Sequence, residues 1–181
     1  RIRHAGFKVH QFSCSTIRNT PAENAISLQQ YVQHNVSGDI VHFVAHSLGG
    51  LVLRHLFHRF SDQRPGRVVT LGTPHSGSQV ARQLVRSSWG RWMLGKSVEQ
   101  GLIGEVPEWH TKNPLGVIAG NHAIGAGRLI CRFEGENDGT IAVSETRLSG
   151  MSDHIILPAS HTGQLYNKAV ARQTCLFIKQ G

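Results

Sequence analysis

The chain has 181 residues, 39% hydrophobic and 17% charged. That length suits one domain with a sizeable core, the balance is ordinary for a globular protein, and no apolar run approaches the roughly 18 residues that a membrane helix needs. The formal net charge is +8, but the basic residues between Arg54 and Arg91 are scattered, with no dense run interleaved with aromatics, so nucleic acid is not an expected partner.

Read in chain order, Arg1–Phe7 resembles the last turn of a helix ending at Gly6, and the gene product is expected to extend further upstream. Lys8–Ser13 alternates and predicts a strand. Thr20-Pro21-Ala22-Glu23 is a capping box with proline at the first helical position. The helix it opens runs to about Val36, with Ala25, Ile26, Leu28, Tyr31 and Val32 as its apolar stripe. After the turn Ser37-Gly38-Asp39 come a strand at Ile40–Ala45 and a helix at Leu48–Phe60. A loop from Asp62 to Gly66 leads into a buried strand at Arg67–Leu71, and Val80–Val85 is helical. Residues 86–113 hold tryptophans and several glycines without a clear period. A strand is predicted at Leu115–Ala119, a short one at Arg128–Arg132 within a long loop, another at His154–Leu157, and a final helix from Gly163 to about Lys179. Strands that alternate with helices predict one α/β domain over residues 1–181, with a mainly parallel sheet and right-handed crossovers. Cys14, Cys131 and Cys175 lie far apart, match no metal spacing and read as free thiols.

One stretch carries chemistry. Ala45-His46-Ser47-Leu48-Gly49, followed by Gly50, sits where a strand turns sharply into a helix. A serine at such a turn projects its hydroxyl above the sheet, and small residues two before and two after it let the two backbones pass closely. Ala45 stands where glycine is usual, a departure of one methyl. A serine hydroxyl needs a base beside it, and the base needs an orienting acid. On this topology both should follow in chain order, acid then histidine, in loops at the carboxyl ends of later strands. Of the 12 histidines, His161 alone lies just after the last strand, in Ser160-His161-Thr162-Gly163. His154 is at the wrong end of that strand, and His42 and His46, which flank the serine, read as packing or hydrogen-bonding residues. Asp138, in Asn137-Asp138-Gly139-Thr140, is the favoured acid, with Glu134 and Glu136 as local rivals and Asp153 at the opposite edge of the sheet.

These segments, together with Leu71-Gly72-Thr73-Pro74-His75-Ser76-Gly77, resemble the α/β-hydrolase superfamily, in particular small bacterial lipases and esterases with little or no cap. The resemblance spans residue 41 to the C-terminus. It implies a triad of Ser47, Asp138 and His161, an oxyanion hole built partly from the backbone N–H of Leu48, a carboxylic ester or lipid substrate, and no metal or organic cofactor. One departure stands out. The family's other oxyanion donor follows a strand that lies between those predicted at 8–13 and 40–45, and no such strand precedes Lys8, which predicts a gap in the middle of the sheet.

The segment Arg82–Lys96 sets Trp89, Trp92 and Met93 among arginines. It reads either as a helix packed on the sheet with its basic side chains in solvent, or as an apolar-basic wall that, with His75, meets the substrate and makes transient contact with a lipid interface. Two other functions share these residues: an acyltransferase or thioesterase with the same triad, and a non-catalytic binding protein on the same fold.

Overall fold

The computed structural model describes residues 1–103, 106–125 and 127–180. Its helices are α1 (Pro21–Asn35), α2 (Leu48–Arg59), α3 (Gln79–Leu84), α4 (Ser88–Leu94), α5 (Gly127–Ile130) and α6 (Lys168–Lys179), and its strands are β1 (Phe43–His46), β2 (Val68–Leu71), β3 (Leu115–Gly120) and β4 (Asp153–Leu157). The four strands form one parallel sheet in the order β1-β2-β3-β4.

Period-two alternation decides which layer each strand residue enters. Phe43, Val68, Leu115 and Val117 face one cluster with Ala25 and Leu28 of α1 and Val52 and Leu56 of α2. Val69, Leu71 and Ile118 face the other, where Val170, Phe177 and Ile178 of α6 cover them. β2 and β3 are buried along their whole lengths, as expected of strands covered on both faces. Gly116 makes the second layer possible: a Cβ there would lie 3.0–3.1 Å from three atoms of the Phe177 ring.

Local signals set the helix ends. The predicted capping box at α1 is present, with Glu23 N–H donating to Thr20 Oγ1 and Thr20 N–H to Glu23 Oε2. Arg3–Ala5 form a 3-10 turn closed by Gly6 at φ 95°, as the opening residues predicted. The aperiodic stretch beyond residue 86 contains α4, started by Ser87, whose Oγ accepts from Gly90 N–H at 3.0 Å. The last helix is interrupted. Thr162–Leu165 is a 3-10 turn, and α6 restarts after it with the Asn167 side chain accepting from Ala169 N–H.

Two expected strands do not form. Among the described residues, the backbone of 8–13 joins no backbone–backbone hydrogen bond. A cavity of about 1210 Å³ lies between this segment and β1, lined by His10 and Phe12 on one side and Phe43, Val44 and Ala45 on the other. A strand without a neighbour makes no ladder. The second is Arg128–Arg132, replaced by α5. β3 and β4 pair directly, which leaves the ladder no place for an intervening strand, and Leu129 is 92% exposed.

Beneath the loop that leaves β2, Arg54 of α2 is buried without an ion-pair partner among the described residues. Its guanidinium donates instead to three carbonyls: Pro107 at 2.7 Å, Val106 at 3.0 Å and His75. Burial pulls its pKa down to about 10. His75 is buried as well, its Nε2 3.0 Å from Thr70 Oγ1. Burial first, then the charges of Arg54 and His154, push its pKa down to about 3.

Two outcomes follow. Arg54→Met leaves three carbonyls without their donor and should lower stability by ~2–4 kcal/mol in urea unfolding. Unfolded His75 takes up a proton below about pH 6.5, whereas the folded one stays neutral until about pH 3, so stability should fall as pH drops through that window. His75→Asn should shrink the difference in unfolding free energy between pH 7.5 and pH 4.5 by on the order of 2 kcal/mol, and an unchanged difference would contradict the buried neutral imidazole.

Candidate active site

The turn between β1 and α2 holds Ser47 at φ 53°, ψ −125°, a conformation costly for any residue with a side chain. Its neighbours enforce it. Ser47 N–H donates to Leu71 O at 2.8 Å, which ties the turn to the end of β2, and Ser47 O accepts from Thr73 Oγ1 at 2.8 Å. The small residues do what their spacing implied: a Cβ on Gly49 would sit 3.4 Å from the Ala45 methyl, and one on Gly50 would sit 2.3 Å from Thr73 Oγ1. Ala45 is therefore tolerated because position 49 is glycine. Leu48 opens α2, so its N–H has no acceptor within the helix.

Three side chains distant in sequence meet at this turn. His161 Nε2 accepts from Ser47 Oγ at 2.9 Å, and His161 Nδ1–H donates to Asp138 Oδ2 at 2.7 Å. The acceptor-only carboxylate fixes the imidazole tautomer. Asp138 is 1% exposed, and its other oxygen accepts from Thr140 N–H at 3.0 Å and Ile141 N–H at 2.7 Å. The loop is an Asx-type turn, with Gly139 at φ 90°. His161 is pinned at its main chain too: its N–H donates to Asp138 O, and its carbonyl accepts from His46 Nε2–H at 2.9 Å. The rings of His46 and His161 lie 4.7 Å apart. Burial, reinforced by the neighbouring His161, holds the His46 pKa below the usual range.

Sequence reasoning missed several supports. Gly72, just past β2, and Gly120, the last residue of β3, form a floor under this cluster. A Cβ on Gly72 would lie 3.0 Å from Asp138 Oδ2 and 3.1 Å from His161 Nδ1, and one on Gly120 would lie 2.9 Å from Asp138 Cβ. Glycine at the carboxyl end of a buried parallel strand is a readable signal for both. Gln164 Nε2–H donates to Asp138 Oδ2 at 2.9 Å, and nothing in its local pattern marks it. Glu145 is buried, its Oε1 accepting from Gln79 N–H and its Oε2 from Ala142 N–H, so it ties the acid loop to the start of α3. Burial raises its pKa.

The other candidates lie elsewhere. Asp153 is exposed at the start of β4, and Glu136 Oε1 accepts from Asn121 at the surface. His154 Nε2 meets Thr146 Oγ1, and His42 Nδ1 accepts from Arg67 N–H. Met93 lines the large cavity, which also reaches Ser47 and Leu48. His75 does not line that cavity, because it is turned into the knot around Arg54 and Thr70. Trp89 and Trp92 are 65% and 76% exposed on the outside of α4. The three cysteines are unpaired and half-buried.

No curated protein matches the chain. Solved structures do. The lipase BlEst2 from Bacillus licheniformis is similar in its mature form (24% identity, TM-score 0.57, 79% of this chain and 66% of that one). Its propeptide form is similar too (26%, 0.59, 79% and 36%). A metagenomic carboxyl esterase, MGS0156, gives 18% identity and a TM-score of 0.62 over 80% of this chain and 52% of that one. The phospholipase PlaB from Legionella pneumophila gives 13% and 0.64 over 94% and 53%. The chain thus spans at most about two thirds of these proteins, and what it shares with them is the α/β-hydrolase fold. Residues 2–108, more than half of the chain, match the family described as "Domain of unknown function (DUF7379)", and the chain belongs to that family.

Proposed function

We propose that this protein is a serine hydrolase acting on carboxylic esters. The observation that carries the reading is the continuous relay from Ser47 Oγ through both nitrogens of His161 to Asp138, at 2.9 Å and 2.7 Å. In the proposed reaction Ser47 Oγ attacks the acyl carbon while its proton passes to His161 Nε2. The tetrahedral oxyanion is met by Leu48 N–H. Collapse breaks the bond to the alcohol oxygen, which leaves with the proton from His161, and an ester on Ser47 remains. Water then attacks that ester, gives its proton to His161, and the carboxylic acid departs as Ser47 recovers its hydroxyl. Asp138 holds the imidazolium in place. The resemblance to small bacterial lipases and esterases, and the lipase at 26% identity, support an ester rather than an amide as substrate.

Contact with a lipid surface belongs to the same reading. Trp89 and Trp92 stand in solvent on α4 beside Arg91, with Arg86 and Lys96 flanking them, all exposed. An exposed aromatic pair among cations suits an anionic interface, where each ring buries its apolar body at headgroup depth.

Two experiments test this. On a short p-nitrophenyl ester, Ser47→Ala should lower kcat roughly 10⁴-fold or more with the far-UV spectrum unchanged, and Asp138→Asn by about as much. Retained turnover in Ser47→Ala would remove Ser47 from the mechanism. The double variant Trp89→Ser/Trp92→Ser should keep its rate on that soluble ester and lose about tenfold or more on an ester dispersed in anionic vesicles. Equal rates on the vesicles would dismiss the interface.

A further inference from the structure

Gln164 is 1% exposed and sits one turn beyond His161, its backbone N–H on Ser160 O. Its side-chain amide makes one hydrogen bond, from Nε2–H to Asp138 Oδ2 at 2.9 Å, and its Oε1 is buried without a partner among the described residues. The orientation is dictated by chemistry. An ionised carboxylate only accepts, so turning the amide over would set oxygen against oxygen. A leucine would fill the space without burying an orphan carbonyl, so packing alone does not call for glutamine here. The backbone is also shaped around this amide, since a Cβ on Gly72 or Gly120 would lie 2.6 Å or 3.1 Å from Nε2.

We propose that Gln164 is a positioning residue for the hydrolytic relay: it shares Oδ2 of Asp138 with His161, fixes the carboxylate in line with the imidazole, and limits how tightly that oxygen holds the Nδ1 proton. The proposal rests on the reading of Ser47, His161 and Asp138 given above. The titratable groups facing the relay are few. His46 lies against His161 from β1, and Glu145, on the 3-10 turn Val143–Thr146, feels the charge of Asp138 through space. Asp138 has no lysine or arginine in ion-pair contact among the described residues. Hydrogen-bond donors are therefore what holds its charge, two backbone N–H groups on Oδ1 and His161 and Gln164 on Oδ2. Removing one concentrates negative charge on the oxygen that faces His161, so imidazolium persists to higher pH, and it frees the carboxylate to rotate.

The test compares wild type, Gln164→Leu and the nearly isosteric Gln164→Met on a soluble p-nitrophenyl ester across pH. Both variants should lose about tenfold in kcat with KM within about twofold, and the acid limb of kcat should move up by about half a pH unit. A purely structural role would lower the thermal midpoint and leave the acid limb where it is, and that result overturns the proposal. A measurement on the wild type guards against variants that do not fold. The Gln164 side-chain amide protons should shift in NMR spectra with the same midpoint as the His161 ring, and amide signals blind to that titration overturn the proposal. If the wild type turns over no ester, the hydrolase reading fails, and the amide titration alone decides whether Gln164 governs the Asp138–His161 pair.

Discussion

A carboxylate enclosed by protein, with no lysine or arginine in contact with it, can remain charged only if hydrogen-bond donors replace its water, because burying a bare charge costs several kcal/mol or more. Asp138 meets that demand with four N–H groups: two from the backbone of its own turn, one from His161 and one from Gln164. Each hydrogen bond to a charged group contributes about 1.5–3 kcal/mol. The demand binds distant parts of the chain together. The loop at 137–141, His161 in the loop after β4 and the turn beyond it must all be in register before the charge is tolerable, and once they are, the imidazole has one orientation left. That orientation points Nε2 at Ser47.

The sheet does the converging. Parallel strands end on the same side, so the loops after β1, β2, β3 and β4 open onto one rim. Approach at that rim is close, and glycine is what permits it. Gly49 lies against Ala45, Gly50 against Thr73, and Gly72 and Gly120 lie under the carboxylate and imidazole. Arg54 extends the same logic one layer down by holding the main chain of His75 and of residues 106–107 through three carbonyls. The loop it steadies carries Thr73, whose hydroxyl holds the carbonyl of Ser47.

Much of this was legible in the amino-acid order because the signals are local. A capping box starts α1, and an apolar run, a sharp turn and an apolar-periodic segment give β1, Ser47 and α2. Chain order along a parallel sheet then singles out Asp138 and His161 among many candidates. What was not legible depends on neighbours. The alternation at 8–13 is real, but a ladder needs a partner, and a cavity separates the segment from β1. The apolar run at 128–132 looked like a strand until β3 and β4 were seen to pair directly. The place of His75 after a strand predicts a pocket residue, yet the space beneath that loop is filled by Arg54, and the imidazole turns inward to Thr70. Gln164 had no signal at all, since its role exists only in three dimensions.

In the proposed reaction the convergence on Ser47 makes its hydroxyl a nucleophile, and covalent labelling by a fluorophosphonate followed by peptide mass spectrometry tests this. One phosphonate on Ser47 is expected in the wild-type protein, with a labelling rate that collapses in His161→Ala. A folded wild-type protein that stays unlabelled, or that labels at the same rate without His161, would contradict it.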